Sequence, residues 1–205
     1  MTTYQLVIGN KNWSTWSLRP WLLMKMAGIE FEEVFIQLRQ DDTRAQCRAH
    51  SPSFKVPVLK AGELKVWDSL AICEFLADCY PEKMLWPQEA RVRAVARAVS
   101  AEMHSGFQSL RQQMPMECKA IHDPIVMDEA LQHDVQRIME IWQDCRHCYG
   151  QGGPFLFGDF SIADAMFAPV ASRFVTFQVP LAEPCLSYVK TIMALPAMQE
   201  WIAAA

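Results

Sequence analysis

The hydrophobic pattern of this chain changes character once, between Pro81 and Pro87, and that change limits the possible folds more than any other feature. Before it, apolar runs of strand length alternate with runs of helical period; after it, every periodic segment is helical. Tyr4 to Ile8 is short, apolar and partly β-branched, and stops at Gly9-Asn10, so it reads as a strand. Ser17 is placed to cap a helix through Pro20, Trp21, Leu22, Leu23 and Met26 to Gly28, with proline in the first turn and glycine past the end. Phe31 to Leu38 reads as a second strand and Thr43 to His50 as a short helix. Val56-Pro57-Val58-Leu59 and Leu64-Lys65-Val66-Trp67 are brief strands joined by a hairpin at Ala61-Gly62-Glu63. Asp68 or Ser69 then opens a helix through Leu70, Ile72, Phe75 and Leu76. The order βαβαββα predicts an α/β domain over residues 1–80, with helices packed on a sheet.

The linker between the prolines marks a domain boundary, and residues 88–205 form an all-helical second domain. Glu89 to Met114 reads as one long amphipathic helix with Met103, Phe107, Leu110 and Met114 on one face. Asp123-Pro124 opens a second, through Leu131, Val135, Ile138, Ile141 and Trp142, which Gly150 to Pro154 ends. Three shorter helices follow near 161–177, 183–193 and 195–203. Ser161-Ile162-Ala163-Asp164 has the spacing of a capping box, with Phe160 placed to staple against Ala165 or Met166; this is a folding device.

Composition narrows the function. A chain of 205 residues, 51% of them hydrophobic, can bury a sizeable core. A net charge of -4 supplies no attraction to nucleic acid or to an anionic membrane. Met1-Thr2-Thr3-Tyr4 lacks the basic and apolar regions of a secretory signal, and no uncharged run is long enough to span a bilayer. Seven scattered cysteines, an odd number, suit reduced thiols in a cytoplasm. Cys145-Arg146-His147-Cys148 has metal or redox spacing, but no second pair completes a zinc site, and the motif falls on a helix instead of following the first strand. It reads as packing thiols. The 12 methionines and 7 tryptophans read as core, and no glycine-rich phosphate loop is present.

Four patterns, in order, carry a resemblance: Ser14-Thr15-Trp16-Ser17-Leu18-Arg19, Ser51 to Leu59 with its Val56-Pro57, Asp68-Ser69-Leu70-Ala71-Ile72-Cys73-Glu74-Phe75-Leu76, and Phe157-Gly158-Asp159-Phe160-Ser161-Ile162-Ala163-Asp164. Together they resemble the cytosolic glutathione S-transferase family, and the first is most similar to the Ser-Ser-Cys-x-x-Arg stretch of its zeta class. The resemblance implies a thioredoxin-like first domain, an all-helical second domain, a two-fold homodimer, and glutathione as co-substrate with no metal. It implies that Ser14, with Thr15 in reserve, donates a hydrogen bond to the glutathione sulfur and lowers its pKa, since only the thiolate is a good nucleophile. Both hydroxyls equally suit plain helix capping. Val56-Pro57 is implied to be a cis peptide whose backbone pairs with the cysteinyl residue like an added strand. Asp68 is implied to take the γ-glutamyl ammonium, Ser69 and free helix N–H groups the neighbouring carboxylate, and Lys55 the glycyl carboxylate. His104, Phe107 and Arg111 are implied to line the pocket for an electrophilic, apolar second substrate.

Two alternatives stand beside transferase activity. One is cis-trans isomerisation of the maleylacetoacetate type, from which the sequence departs by placing Trp16 where zeta enzymes have cysteine and Asp68 where they have glutamine. The other is a non-catalytic binding module on the same fold, against which the presence of Ser14, Pro57 and Ser69 argues.

Overall fold

The structure, a computed structural model, describes residues 3–205. Its first part has the predicted order: β1 (Tyr4–Ile8), α1 (Thr15–Met26), β2 (Phe31–Phe35), α2 (Thr43–His50), β3 (Val58–Ala61), β4 (Leu64–Val66) and α3 (Ser69–Cys79). The four strands form one sheet in the order β2-β1-β3-β4. β1 is parallel to β2, with Tyr4 beside Phe31 and Ile8 beside Phe35, and antiparallel to β3, with Val7 beside Val58. Alternation along β1 sorts the two faces. Tyr4, Leu6 and Ile8 join the main core with α1 and α3, whereas Val7 joins a small cluster with Ile36, Cys47 of α2 and Val58.

The helical part comprises α4 (Ala90–Ser105), α5 (Gln108–Gln113), α6 (Glu129–Tyr149), α7 (Ile162–Thr176), α8 (Cys185–Ala194) and α9 (Pro196–Ala203). Every residue of α7 except Val175 is buried, and α7 packs against α1, α4 and α8. One continuous core therefore runs from the sheet into the helices. The predicted capping box starts α7: Asp164 Oδ2 accepts from the Ser161 N–H at 2.9 Å and the Ser161 hydroxyl at 3.0 Å. Its other oxygen accepts from Leu156 N–H at 3.0 Å and Tyr188 Oη at 3.2 Å, which ties the preceding loop and α8 to the same carboxylate. Phe160 meets Phe155 edge-on, with ring centroids 5.4 Å apart.

Several boundaries differ from the sequence reading. The expected helix from Glu89 to Met114 is two helices, broken where Gly106 is extended and Phe107 is left-handed (φ 62°). The break leaves all four apolar positions buried, because Met103, Phe107, Leu110 and Met114 still turn inward. Helix α6 starts at Glu129, not at Asp123-Pro124, because Asp128 supplies the cap, its Oδ1 accepting from Leu131 N–H at 2.8 Å. The second strand stops at Phe35, before Leu38. Ser17 does not cap α1: the helix starts at Thr15, Ser14 holds the N-cap position, and Pro20 sits inside the helix, where Trp16 C=O has no N–H to receive from it. The C-x-x-C pair falls in the last turn of α6, with Cys145 buried and Cys148 exposed.

Candidate functional site

A cavity of about 320 Å³ opens where the β1–α1, α2–β3 and β4–α3 connections meet, lined by Trp16, Ser53, Lys55, Val56, Pro57, Trp67, Asp68 and Ser69. Local sequence explains each wall. Val56-Pro57 precedes β3, so the Val56 backbone lies outside the ladder that pairs β3 with β1. The peptide between them is cis, as expected. Asp68 is the N-cap of α3, its Oδ1 accepting from Leu70 N–H at 3.0 Å and Ala71 N–H at 3.2 Å. The Ser69 hydroxyl, beside it in the first turn, is buried and has no partner among the described residues. A buried hydroxyl without a partner costs free energy unless a ligand satisfies it. Lys55 reaches the same cavity from the exposed side.

Ser14 and Thr15 are buried and are not among the lining residues. They occupy the start of α1, where the helix leaves N–H groups free and presents a partial positive charge. The Ser14 hydroxyl donates to Ser17 Oγ at 2.7 Å, and Ser17 Oγ also accepts from Gly9 N–H at 3.2 Å. Trp201 Nε1 of α9 donates to Lys11 C=O at 2.8 Å, fixing the same turn from the far end of the chain.

Trp16 is the centre of a second group that sequence reasoning did not assemble. The Arg19 and Arg111 guanidinium carbons lie 4.3 and 4.8 Å from its ring centroid, and the His104 ring meets it edge-on at 5.2 Å. His104 Nε2 lies 2.8 Å from Asp68 Oδ2, joining α4 to the N-cap of α3. Arg19 is fully buried; its Nε donates to Met166 C=O at 3.2 Å, and neither Nη1 nor Nη2 has a partner. Arg173 is also buried, with Nε donating to Met114 C=O at 2.6 Å and Nη1 unpartnered. Arg111 donates to the Gly106 and Met103 carbonyls, which places it at the break between α4 and α5. No carboxylate within salt-bridge distance faces any of these three arginines among the described residues. Burial pushes the Arg19 guanidinium well below its ordinary value, with Arg111 and Arg173 acting in the same direction, and burial pushes Arg173 down to about 9. Both remain cations at neutral pH.

Of the three residues expected at the second-substrate pocket, His104 and Arg111 thus reach Trp16, while Phe107 is buried at the helix break and does not line the cavity. Arg19 could have been noticed as the one charged residue in a run of apolar helical positions from Leu18 to Met24. Nothing in the sequence shows that Arg111 and Arg173, from two other helices, converge on it.

Residues 13–79 match the family model described as the glutathione S-transferase N-terminal domain, and residues 128–204 match that of the C-terminal domain. This chain belongs to the glutathione S-transferase family. Among curated relatives, a maleylacetoacetate isomerase of Rattus norvegicus is 29% identical over 202 residues, covering 90% of this chain and 85% of its own length. Glutathione S-transferase 1 of Dianthus caryophyllus is 26% identical over 174 residues, covering 82% of this chain and 76% of its own. Among solved structures, a glutathione transferase homologue from Burkholderia GL BGR1 with bound glutathione superposes with a TM-score of 0.75 at 24% identity, over 98% of this chain and 97% of that one. That likeness spans both the four-stranded sheet and the helices that follow it in this chain. Among the described residues there is no group of three or more side chains arranged to hold a metal ion, and no helix is long and apolar enough to cross a membrane.

Proposed function

We propose that this chain is a glutathione transferase whose first domain, residues 1–80, binds glutathione and whose second, residues 88–205, contributes to the pocket for an electrophilic partner. One observation carries the reading. A single cavity joins an unpaired backbone edge at Val56-Pro57, the buried and unpartnered Ser69 hydroxyl at a helix N-terminus, and the Asp68 carboxylate. A γ-glutamyl peptide presents the complement of each: a backbone for the edge, a carboxylate for Ser69 and the helix N–H groups, and an ammonium for Asp68. Lys55 takes the glycyl carboxylate. Ser14 turns its hydroxyl from Ser17 to the sulfur, and the N-terminus of α1 adds roughly 0.3–1 kcal/mol in favour of the thiolate. Thr15, one residue on, is the reserve donor. Attack by the thiolate forms a carbon–sulfur bond to the electrophile while the bond to its leaving group breaks and that group departs with the electron pair. Holding both reactants in one site supplies the rest of the rate gain. The role is detoxification in a reducing cytoplasm, consistent with seven free cysteines, and the assembly is a homodimer.

The buried arginines favour a second reading, in which the partner is an acid and the reaction is an isomerisation. Arg19 and Arg173 are buried cations with no carboxylate at salt-bridge distance, and Arg111 is half-buried with Asp134 as a more distant counter-charge. A substrate carboxylate would supply a closer one. Thiolate addition to an electron-poor cis alkene leaves a single bond, which rotates before the thiolate departs. Glutathione is then regenerated.

The test is a glutathione titration of wild type and Ser14→Ala, following thiolate absorbance across pH. Wild type should bind and lower the thiol pKa; Ser14→Ala should bind without lowering it. Absence of binding to either protein would leave a non-catalytic role on this fold. Thiol consumption separates the two reactions, being stoichiometric with product in a transfer and absent in an isomerisation.

A further inference from the structure

The site described above contains a contact that glutathione chemistry alone does not require, between Asp68 on the sheet side and His104 on the helical side. Asp68 divides its two oxygens. Oδ1 accepts the Leu70 and Ala71 N–H groups and so belongs to the cap of α3, while Oδ2 faces His104 Nε2 at 2.8 Å. His104 closes the last turn of α4, and its position is fixed from two sides. Its ring rests edge-on against Trp16, and its carbonyl and that of Met103 receive the Arg111 guanidinium.

The other ring nitrogen settles the state of the imidazole. Nδ1 is buried and has no partner among the described residues. A proton there would be a buried donor with no acceptor, which is costly, whereas a bare lone pair costs less. The ring therefore carries its one proton on Nε2 and donates it to Asp68. The charges facing the ring agree with this. Burial pushes its pKa below the ordinary value, and Arg19 from α1 and Arg111 from α5 push it the same way, against Asp68.

We infer that His104 is a positioning residue for the amino end of glutathione: as a neutral donor it holds Asp68 Oδ2 at the cavity without cancelling its charge. A charged partner such as lysine or arginine would also orient the carboxylate but would compete with the ligand's ammonium for it. Protonation of His104 turns it into such a competitor. Ammonium binding and proton binding at His104 are thus mutually antagonistic, so acidification weakens glutathione through this contact, and where His104 is protonated glutathione binding expels that proton. Because His104 stands on α4 and Asp68 on α3, the peptide site is assembled by both parts of the molecule, and a ligand ammonium on Asp68 is sensed across their junction.

This inference rests on the glutathione reading, and the test separates the two. Full-length wild type, His104→Gln and His104→Ala would be titrated calorimetrically with glutathione, and with its analogue lacking the γ-glutamyl amino group, from about pH 5 to about pH 8. The glutamine amide can donate to Asp68 but does not titrate. Wild type should lose about tenfold in glutathione affinity as His104 protonates, and should show no matching loss for the deaminated analogue. His104→Gln should retain wild-type affinity at neutral pH and hold it on acidification. His104→Ala should bind glutathione about tenfold more weakly at neutral pH, with the analogue little affected. An acid loss that persists in His104→Gln, or that is equal for the analogue, overturns the inference while leaving glutathione binding intact. A wild type that binds neither compound at any pH overturns the functional reading itself, and this inference with it.

Discussion

The Ser14 hydroxyl donates to Ser17 Oγ across 2.7 Å, so the residue proposed to activate the thiol is held by the residue that the sequence offered as a helix cap. Ser17 is buried inside α1, and its oxygen also receives the Gly9 N–H at the end of β1. Ser17→Ala leaves that buried N–H unpaired and should cost about 1–3 kcal/mol of stability, read by denaturant unfolding. It also frees the Ser14 hydroxyl. Glutathione bound to Ser17→Ala should therefore keep the lowered thiol pKa of the wild-type complex. If the folded variant binds glutathione at its ordinary pKa, Ser17 and not Ser14 contacts the sulfur.

Asp164 gives the clearest pH signature in the fold. Burial pushes its carboxyl up to about 6, outweighing hydrogen bonds from Leu156, Ser161 and Tyr188. The folded carboxyl thus keeps its proton to a higher pH than the unfolded one, at about 3.9. Its stabilising contribution is full below about pH 4 and is lost as pH rises through about 6, a change on the order of 3 kcal/mol. Asp164→Asn does not titrate. Relative to wild type, the variant should gain stability between about pH 4 and about pH 7, measured by denaturant midpoints at each pH. A difference that does not move with pH would mean that the four donors keep Asp164 ionised throughout that range.

The far end of the chain supports the same turn that carries Ser14. Trp201 is fully buried in α9, meets Trp21 edge-on at 5.0 Å, and donates to the Lys11 carbonyl. Trp201→Phe keeps most of the apolar bulk and loses the donor. It should cost about 1–3 kcal/mol, from a carbonyl left with only the weak Cys118 thiol donor and from the space left by the smaller ring. Amide exchange over residues 11–14 should quicken more than exchange in α2, which Trp201 does not touch. Protection of residues 11–14 unchanged from wild type would show that the Cys118 thiol and the Glu33 carboxylate, 2.9 Å from the Lys11 ammonium, suffice to hold Lys11.

The parts of the fold that were legible in the sequence are those written in local code. The short apolar, partly β-branched run Tyr4 to Ile8, the Ala61-Gly62-Glu63 turn and the Asp68-Ser69 helix start each depend on neighbours a few residues away, and each is present. The misplaced boundaries depended on alternatives that were locally equivalent. Asp123 and Asp128 both have the side chain of a cap, and it is Asp128 whose carboxylate accepts from Leu131 N–H where α6 begins. The break before α5 has a glycine but also a left-handed Phe107, which propensity does not favour and tertiary burial imposes. In the site, the peptide-binding half was readable because Val56-Pro57 and Asp68-Ser69 are contiguous motifs. The arginine half was not, because Arg19, Arg111 and Arg173 lie on three helices and meet only through the packing of α1 on α7 and the turn after α4.

That arginine half makes a prediction in which stability and function move in opposite directions. Arg19 is a fully buried cation whose Nη1 and Nη2 make no hydrogen bond, so the fold bears its desolvation without a compensating carboxylate. Replacement by an unbranched apolar side chain of similar length removes that burden and keeps contact with Trp16. Arg19→Met should therefore unfold at higher denaturant, with a gain of about 1–3 kcal/mol. The same change removes a charge available to an acidic second substrate. Binding of a small dicarboxylate to the glutathione-loaded protein should weaken at least about tenfold, with glutathione affinity itself little changed. If Arg19→Met is instead less stable and binds dicarboxylates as wild type does, Arg19 serves only to pack Trp16 against α7. The second substrate is then recognised by shape, and the transferase reading gains over the isomerase one.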